Sequence, residues 1–358
     1  MKLLMTCDAV GGVWQYANDL ATTLAGEGAS VVLAVLGPWD REGTQGRDGV
    51  KVLPTGLPLD WLAAGPDEVL AAGRAVAALA VEHDVDLVHL NSPALAAAGP
   101  FPAPVIAVAH GCVGTWFAAA DGAVTPPELA WHEQLMLAGL LAADVVIAPS
   151  ASYATAVQRH YGLPSTPLVV HNGRTPATRP TVASADHVLT AGRLWDRAKN
   201  TRLLDAIAAR LPVPLRAAGP TIAPHGETVV TSHLQLLGTL DADALAAEYA
   251  AAPVFVSAAS FEPFGLAVLE AAQAGCPLVL ADIATFRELW TGAALFVPEQ
   301  DADAYLAAIA RIRTEPGLRT HLGEAARLRA ARYTTAAMAQ GTLAIYRGLL
   351  PTPQRAAA

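Results

Sequence analysis

The strongest constraint on the fold of this chain is an alternation that occurs twice along its length. Short apolar runs rich in β-branched residues, at 2–7, 30–36, 86–90, 104–109, 144–148 and 168–171, are separated by longer Ala- and Leu-rich segments such as 13–26, 68–82, 127–141 and 152–161. Continuous apolar runs of that length suit strands buried on both faces, and parallel neighbours need helical crossovers between them. The pattern predicts a doubly wound α/β domain. It stops at 174–186, where Pro, Thr, Arg and Ser follow no helical or strand period, as in a linker. It restarts at His187 with the runs HVLTAG, LRAAG, LQLLG, PVFVSA, PLVLA and ALFVP, separated by helical stretches at 200–210, 242–250 and 266–274. Two domains are expected, 1–173 and 187–334, and 358 residues suit two cores better than one. Beyond Asp301 the chain reads as helical to Leu350, with breaks near Pro316-Gly317 and Tyr333-Thr334-Thr335.

Ligands of open parallel sheets bind beyond the carboxyl ends of the strands, so two such domains facing each other define a cleft whose loops hold the chemistry. Composition narrows what that chemistry meets. A formal charge of −9 argues against a nucleic-acid partner and against an anionic membrane surface. Three scattered cysteines, Cys7, Cys112 and Cys276, fit neither a disulfide framework nor metal-ligand spacing, and point to a reducing cytoplasm. The apolar start is too short for a signal peptide, and no uncharged apolar run is long enough to span a bilayer. No oligomeric state follows from the sequence.

Several loops carry candidate chemistry. Gly11-Gly12, between the first strand and the first helix, make either a tight turn or an anion site at free helix amides. A Gly-x-Gly-x-x-Gly fingerprint, a Walker loop and His-Glu-x-x-His are all absent, which removes the main support for hydride transfer, ATP hydrolysis and zinc proteolysis. At the head of the second series, Arg193 directly follows Gly192, and Lys199 stands just before the next helix; a forked donor and a compact charge together suit a diphosphate. Only three of the 23 basic residues are lysines, at 2, 51 and 199. In FEPFGLAVLE, 261–270, Glu262 lies in a loop, Phe264, Gly265 and Leu266 open a helix with exposed amides, and Glu270 follows two turns later. Carboxylates accept from hydroxyls, so such a pair suits two polyols on either side of a diphosphate.

Taken in order, Gly11-Gly12, HNG at 171–173, GRL with Lys199 at 192–199, LLGTL at 236–240 and the spaced glutamates of FEPFGLAVLEA resemble the retaining, metal-independent family 4 glycosyltransferases of GT-B fold. The resemblance runs over nearly the whole chain. It implies two Rossmann-like domains facing a cleft, with residues 335–358 forming a helix that crosses back to the first domain. It implies a donor site for a nucleotide sugar, UDP- or GDP-linked, in the second domain and an acceptor site for a saccharide or small molecule in the first. Glu262 would bind the transferred sugar and Glu270 the ribose; Arg193 and Lys199 would neutralise the leaving diphosphate, helped by amides at Gly12 and at Phe264, Gly265 and Leu266. Leu237, Gly238 and Thr239 would lie by the base. His110, in VIAVAHG, falls where the family commonly has a histidine reaching the donor sugar.

The chain departs from the family in two places. The acidic neighbour often seen after that histidine is Gly111, leaving the orienting partner open, and Ala258-Ala259 stand where Pro-Ser is common. Trp14 and Trp116 flank the site motifs and suit either acceptor stacking or packing between elements. Asp-x-Asp occurs at 84–86, 241–243 and 301–303; the last two open Ala-rich helices and read as caps, so no metal and no cofactor is expected. The expected reaction is hexosyl transfer to a hydroxyl with retention. A sugar-nucleotide epimerase of the same shape and a non-catalytic binding protein are the alternatives.

Overall fold

The computed structural model describes all residues except 40–47, 121, 123, 178–185, 252 and 351–358. The chain forms two compact units. The first comprises Met1–Ala118, Val124–Gly173 and Thr335–Ala358, and the second Ala119–Ala123 and Arg174–Thr334.

Among the described residues the first unit holds seven strands, β1 (Lys2–Asp8), β2 (Ser30–Leu36), β3 (Val50–Pro54), β4 (Leu87–Leu90), β5 (Val105–Val108), β6 (Val145–Ala148) and β7 (Leu168–Val169). They form one parallel sheet in the order β3-β2-β1-β4-β5-β6-β7. β1 and β2 are buried along almost their whole length, which is why they read as unbroken apolar runs. β3 has no counterpart among the expected strands: VKVLP carries an exposed lysine and a proline, a composition suited to the edge position it occupies. The expected helix at 127–141 is a short 3-10 turn, Pro127–Leu129, followed by the helix Ala130–Ala142. A further helix, Val113–Ala120, follows β5.

The second unit holds β8 (Val188–Ala191), β9 (Leu215–Ala218), β10 (Gln235–Gly238), β11 (Val254–Ser257), β12 (Leu278–Ala281) and β13 (Ala294–Val297), in the parallel order β10-β9-β8-β11-β12-β13. All six coincide with expected apolar runs. Of the expected linker 174–186, residues 178–185 lie outside the described residues. Arg174 is already packed into the second unit, donating its backbone N–H to the Tyr333 carbonyl at 3.2 Å. Helices Ala302–Thr314, Pro316–Ala330 and Thr335–Leu349 follow β13, with Pro316 in the first turn of its helix, where its missing N–H costs nothing.

The last helix belongs to the first unit; of the expected crossing segment 335–358, residues 351–358 lie outside the described residues. Met338, Ala339, Leu343 and Tyr346 are buried in one core with Trp14, Tyr16, Ala17 and Leu20 of the helix Gly12–Gly26. Asp241 and Asp301 cap their helices as expected, accepting from Ala244 N at 2.8 Å and Ala304 N at 2.9 Å. Asp84 and Asp86 instead bind Lys2 through its Nζ and its backbone N–H at the amino end of β1. No helix among the described residues is long and apolar enough to cross a membrane.

Candidate active site

In each sheet the strand order reverses beside the first strand of the unit, between β1 and β4 and between β8 and β11. Loops leaving the carboxyl ends of strands on either side of such a reversal diverge and leave a crevice. The loop after β8 carries Arg193 and Lys199, and the loop after β11 carries Glu262. Backbone and amide bonds tie the two loops together: Ser260 N donates to the Ala198 carbonyl at 2.9 Å, and Asn200 Nδ2 to the Ala258 carbonyl at 2.7 Å. Asn200 adopts a left-handed conformation, φ 53°, which turns the chain from the 3-10 turn Arg197–Lys199 into the helix Thr201–Ala208. Ala258 and Ala259 are fully buried here, so the small residues that replace the family's Pro-Ser are packed under the loop.

Lys199 Nζ and Glu262 Oε2 meet at 2.5 Å, each side chain about 19% exposed. Together with Thr190, Gly192, Ser257 and Val268 they line a cavity of about 20 Å³, little more than one water. Arg193 lies outside this pair. Its Nη2 donates to Asp196 Oδ2 at 3.0 Å, its guanidinium sits 5.4 Å from the Trp195 ring centroid, and it remains 43% exposed. Asp196, nearly buried, also accepts from Ala198 N at 3.0 Å, so one acid fixes both Arg193 and the turn that presents Lys199.

Gly265 stands at the start of the helix Leu266–Gln273 in a left-handed conformation, φ 93°, and as a glycine it offers the first amides no side-chain cap. A Cβ there would lie 3.1 Å from Phe286 and 3.3 Å from Glu262 Cγ, so glycine permits both the turn and the close passage of the Glu262 stem. Phe264 does not face a ligand: its ring is 3% exposed and packs edge-on against Tyr333, leaving only its backbone for the site. Glu270 accepts from Arg174 Nε at 2.9 Å, and the Arg174 carbonyl accepts from Gln273 Nε2 at 2.9 Å. Burial, and then the Glu270 carboxylate, hold the Tyr249 phenol well above its usual range. Arg174 is the site residue that sequence reasoning misses by assigning it to the linker; its position directly after HNG is the available signal.

β8, β9 and β10 each run into glycine, at Gly192, Gly219 and Gly238, all with positive φ. Gly219 N donates to the Gly238 carbonyl at 2.8 Å, and a Cβ on Gly219 would stand 1.8 Å from the Gly192 carbonyl. The result is a floor of bare backbone along this edge of the sheet, with Gly238 and Thr239 exposed at one end and Leu237 half-buried against the core.

In the first unit, Gly11 and Gly12 are exposed at the start of a 15-residue helix with no side-chain cap and no acid in its first turn. Trp14, read as either an acceptor residue or a packing residue, is 5% exposed and packs against Trp39, centroids 5.1 Å apart, in the core. Its position one helical stripe from Ala17, Ala21 and Leu24 is the sign of this. Trp116 is half-buried and meets Phe117 edge-on. His110 follows β5, and its Nε2 lies 2.8 Å from Asn91 Oδ1, just beyond β4. Burial and the neighbouring His89 push the His110 pKa down to about 3, so the ring is neutral at ordinary pH. Among the described residues no group of His, Cys, Asp and Glu is arranged to hold a metal ion.

Of the expected residues, Lys199 and Glu262 are in contact, Gly265 adjoins them, Arg193 hangs from the same loop on its own acid, and Glu270 is held by Arg174. His110 and Gly12 lie at the carboxyl edge of the other sheet.

Comparison with known proteins fits this arrangement. A family model described as Glycosyltransferase Family 4 matches residues 10–177, and one described as Glycosyl transferases group 1 matches 225–329. A D-inositol 3-phosphate glycosyltransferase of Kribbella flavida is 38% identical over 105 residues, 29% of this chain and 25% of that protein. The match thus spans about a quarter of the length of that curated relative. Among solved structures, sucrose-phosphate synthase from Thermosynechococcus elongatus superposes with a TM-score of 0.81 at 21% identity, covering 98% of this chain and 99% of that one. Anabaena HepE in complex with UDP and glucose gives 0.76 at 18%, covering 98% and 100%. At such identities the likeness is one of fold, which extends over almost all of each chain. With one family model taking in Gly12 and His110 and the other Glu262 and Glu270, the chain belongs to the family 4 glycosyltransferases of GT-B fold.

Proposed function

We propose that the protein transfers a hexosyl group from a nucleoside diphosphate sugar to a hydroxyl of a saccharide or small-molecule acceptor, with retention and without a metal ion. The observation that carries this reading is the Lys199–Glu262 pair beside the amides after Gly265, with Arg193 on the same loop. A diphosphate needs cations and N–H donors, and a sugar ring needs a fixed acceptor of hydroxyl protons; here they adjoin. Solved complexes of Anabaena HepE, a protein of the same fold, with UDP and with UDP-glucose support UDP over GDP as the carrier.

In the reaction the bond between the anomeric carbon and the β-phosphate oxygen breaks, and its electron pair stays on the phosphate. Lys199, Arg193 and the amides of Gly265 and Leu266 meet that growing charge, so they stabilise the transition state more than the ground state. Glu262 holds hydroxyls of the transferred sugar. Glu270, oriented by Arg174, takes the ribose hydroxyls, and the glycine floor at 192, 219 and 238 lets the nucleotide lie close to backbone. The acceptor hydroxyl attacks on the face the phosphate leaves, and its proton passes to the departing phosphate oxygen. The second unit holds the nucleotide, and the first supplies the acceptor surface and, in His110, a side chain for the transferred sugar. The thiols Cys7, Cys112 and Cys276 form no disulfide, which supports a reducing, cytoplasmic setting.

The test is UDP release from UDP-glucose with a panel of acceptors, in chelator and with added Mg²⁺, followed by proton NMR of the product. Equal rates under both conditions and an α-anomer appearing first support the reading. A strict metal requirement, or the β-anomer first, refutes that part of it.

A further inference from the structure

The sequence leaves His110 without an orienting partner, and the structure supplies one from three separate elements. Asn91 Nδ2 lies 2.7 Å from the Thr6 carbonyl, and Asn91 N donates to Thr6 Oγ1 at 2.9 Å. A carbonyl only accepts, so the amide face toward Thr6 is the NH₂, and the opposite atom is the acceptor Oδ1. Two imidazoles face that one oxygen, His110 Nε2 at 2.8 Å and His89 Nε2 at 3.3 Å. Both must therefore carry their proton on Nε2. On His89 this leaves Nδ1 as an acceptor, and the Tyr346 hydroxyl stands 2.7 Å away to donate to it. Every assignment in the chain follows from the Thr6 carbonyl, and each has a single consistent solution.

The surroundings hold the arrangement still. His89 is fully buried, Asn91 nearly so, and Tyr346 fully buried on the helix Thr335–Leu349. Tyr16 packs edge-on against the His110 ring, centroids 4.4 Å apart and planes at 66°, and is offset-stacked with His89 at 6.3 Å. The titratable groups facing the two rings are thus Tyr16, Tyr346 and each other. Neither imidazole is hydrogen-bonded to a carboxylate among the described residues. Burial lowers both, His89 to about 4, so neither carries charge at neutral pH.

We propose that Asn91, backed by His89 and Tyr346, is the positioning device of His110, holding its ring with the proton on Nε2 so that Nδ1 accepts from a hydroxyl of the transferred sugar. The proposal rests on the glycosyltransferase reading for its substrate, and it assigns His110 an uncharged, accepting role. It also makes a residue of the last helix part of the donor machinery.

The test uses the full-length protein with ¹⁵N-labelled histidine and UDP-glucose as the probe. In the wild type both rings show a protonated Nε2 and an unprotonated Nδ1, neither titrates between pH 7 and pH 5, and UDP-glucose shifts His110 Nδ1. Tyr346→Phe keeps the ring and its packing while removing one hydroxyl. It frees His89 to exchange tautomers, loosens His110, and lowers kcat about tenfold with little change in KM, roughly the effect of losing one well-placed hydrogen bond in the transition state. On a His110→Ala background the same change lowers kcat no further. Asn91→Ala gives the larger loss, with melting curves showing whether the fold is retained.

An Nδ1-protonated His110, or a Tyr346→Phe loss of equal size with and without His110, overturns the proposal. So does His110→Ala with wild-type turnover, although the transferase reading then stands. If no nucleotide sugar is turned over at all, the functional reading falls instead, and the ¹⁵N spectra still decide the positioning network.

Discussion

The closest polar contact of the donor site also sets an internal competitor against the donor, and Glu262→Gln separates the two roles of its acid. Lys199 Nζ is 2.5 Å from Glu262 Oε2, so the cation proposed to hold the diphosphate is already neutralised. At that distance and an effective dielectric of about 20, the bare attraction is roughly 7 kcal/mol. With both side chains about 19% exposed, desolvation and lost side-chain freedom offset most of it, leaving a net of about 1–2 kcal/mol. A diphosphate must compete with that net value for Lys199. The amide introduced by the substitution leaves the shape intact and removes the competing charge, so UDP binds about 5- to 30-fold tighter. The same change removes a charged acceptor for sugar hydroxyls, so UDP-glucose gains less than UDP and kcat falls by about a hundredfold. Isothermal titration with UDP and with UDP-glucose, alongside UDP release, reads both. Equal weakening of the two ligands refutes the argument, because Glu262 would then be an ordinary structural partner of Lys199.

Arg174→Met removes the partner of Glu270 at 2.9 Å; we expect UDP affinity to fall about tenfold, and the loss to vanish on a Glu270→Ala background, as titration calorimetry will read. Gly219→Ala adds a Cβ 1.8 Å from the Gly192 carbonyl at φ 136° and should cost at least about 3 kcal/mol, whereas Gly238→Ala, with open space at φ 68°, should cost about 1 kcal/mol. Equal urea midpoints for those two variants would show that the floor yields. His89 is lowered from 6.5 to about 4, so the unfolded chain binds the extra proton between those values and stability rises with pH across that window. Acidifying from pH 7 to below pH 4 should remove about 3 kcal/mol through this residue, visible as an acid-dependent urea midpoint that His89→Gln makes shallower, His110 supplying the remainder.

The parts legible in the sequence are those whose causes are local. Strands buried on both faces announce themselves as apolar runs, and Lys199, Glu262 and Gly265 stand out because each lies in the loop after such a strand, although the contact between the first two spans 63 positions. Asp241 and Asp301 read as caps for the same reason. What escapes depends on partners far apart. Arg174 and Glu270 are 96 positions apart, and His89 and Tyr346 257 apart, so no window of sequence shows either pair. β3 escapes because an edge strand with one lysine and one proline lacks the run that marks its buried neighbours. For Trp14 the glycine loop beside it and its helical phase with Ala17 and Leu24 point in different directions, and the phase agrees with its burial.

The return of the helix Thr335–Leu349 to the first unit bears on how this chain can be made. A ribosome finishes Gly173 on the order of ten to thirty seconds before it reaches Thr335, at usual elongation rates. Until then the seat of Met338, Leu343 and Tyr346 stands open beside Trp14 and Tyr16, with His89 Nδ1 unsatisfied. The first half must wait, unfinished and sticky, until that helix has been made, and cutting the gene at the domain junction leaves it permanently in that condition. A fragment that carries residues 335–350 spliced after Gly173 supplies the missing helix and is the form in which this half should be expressed alone.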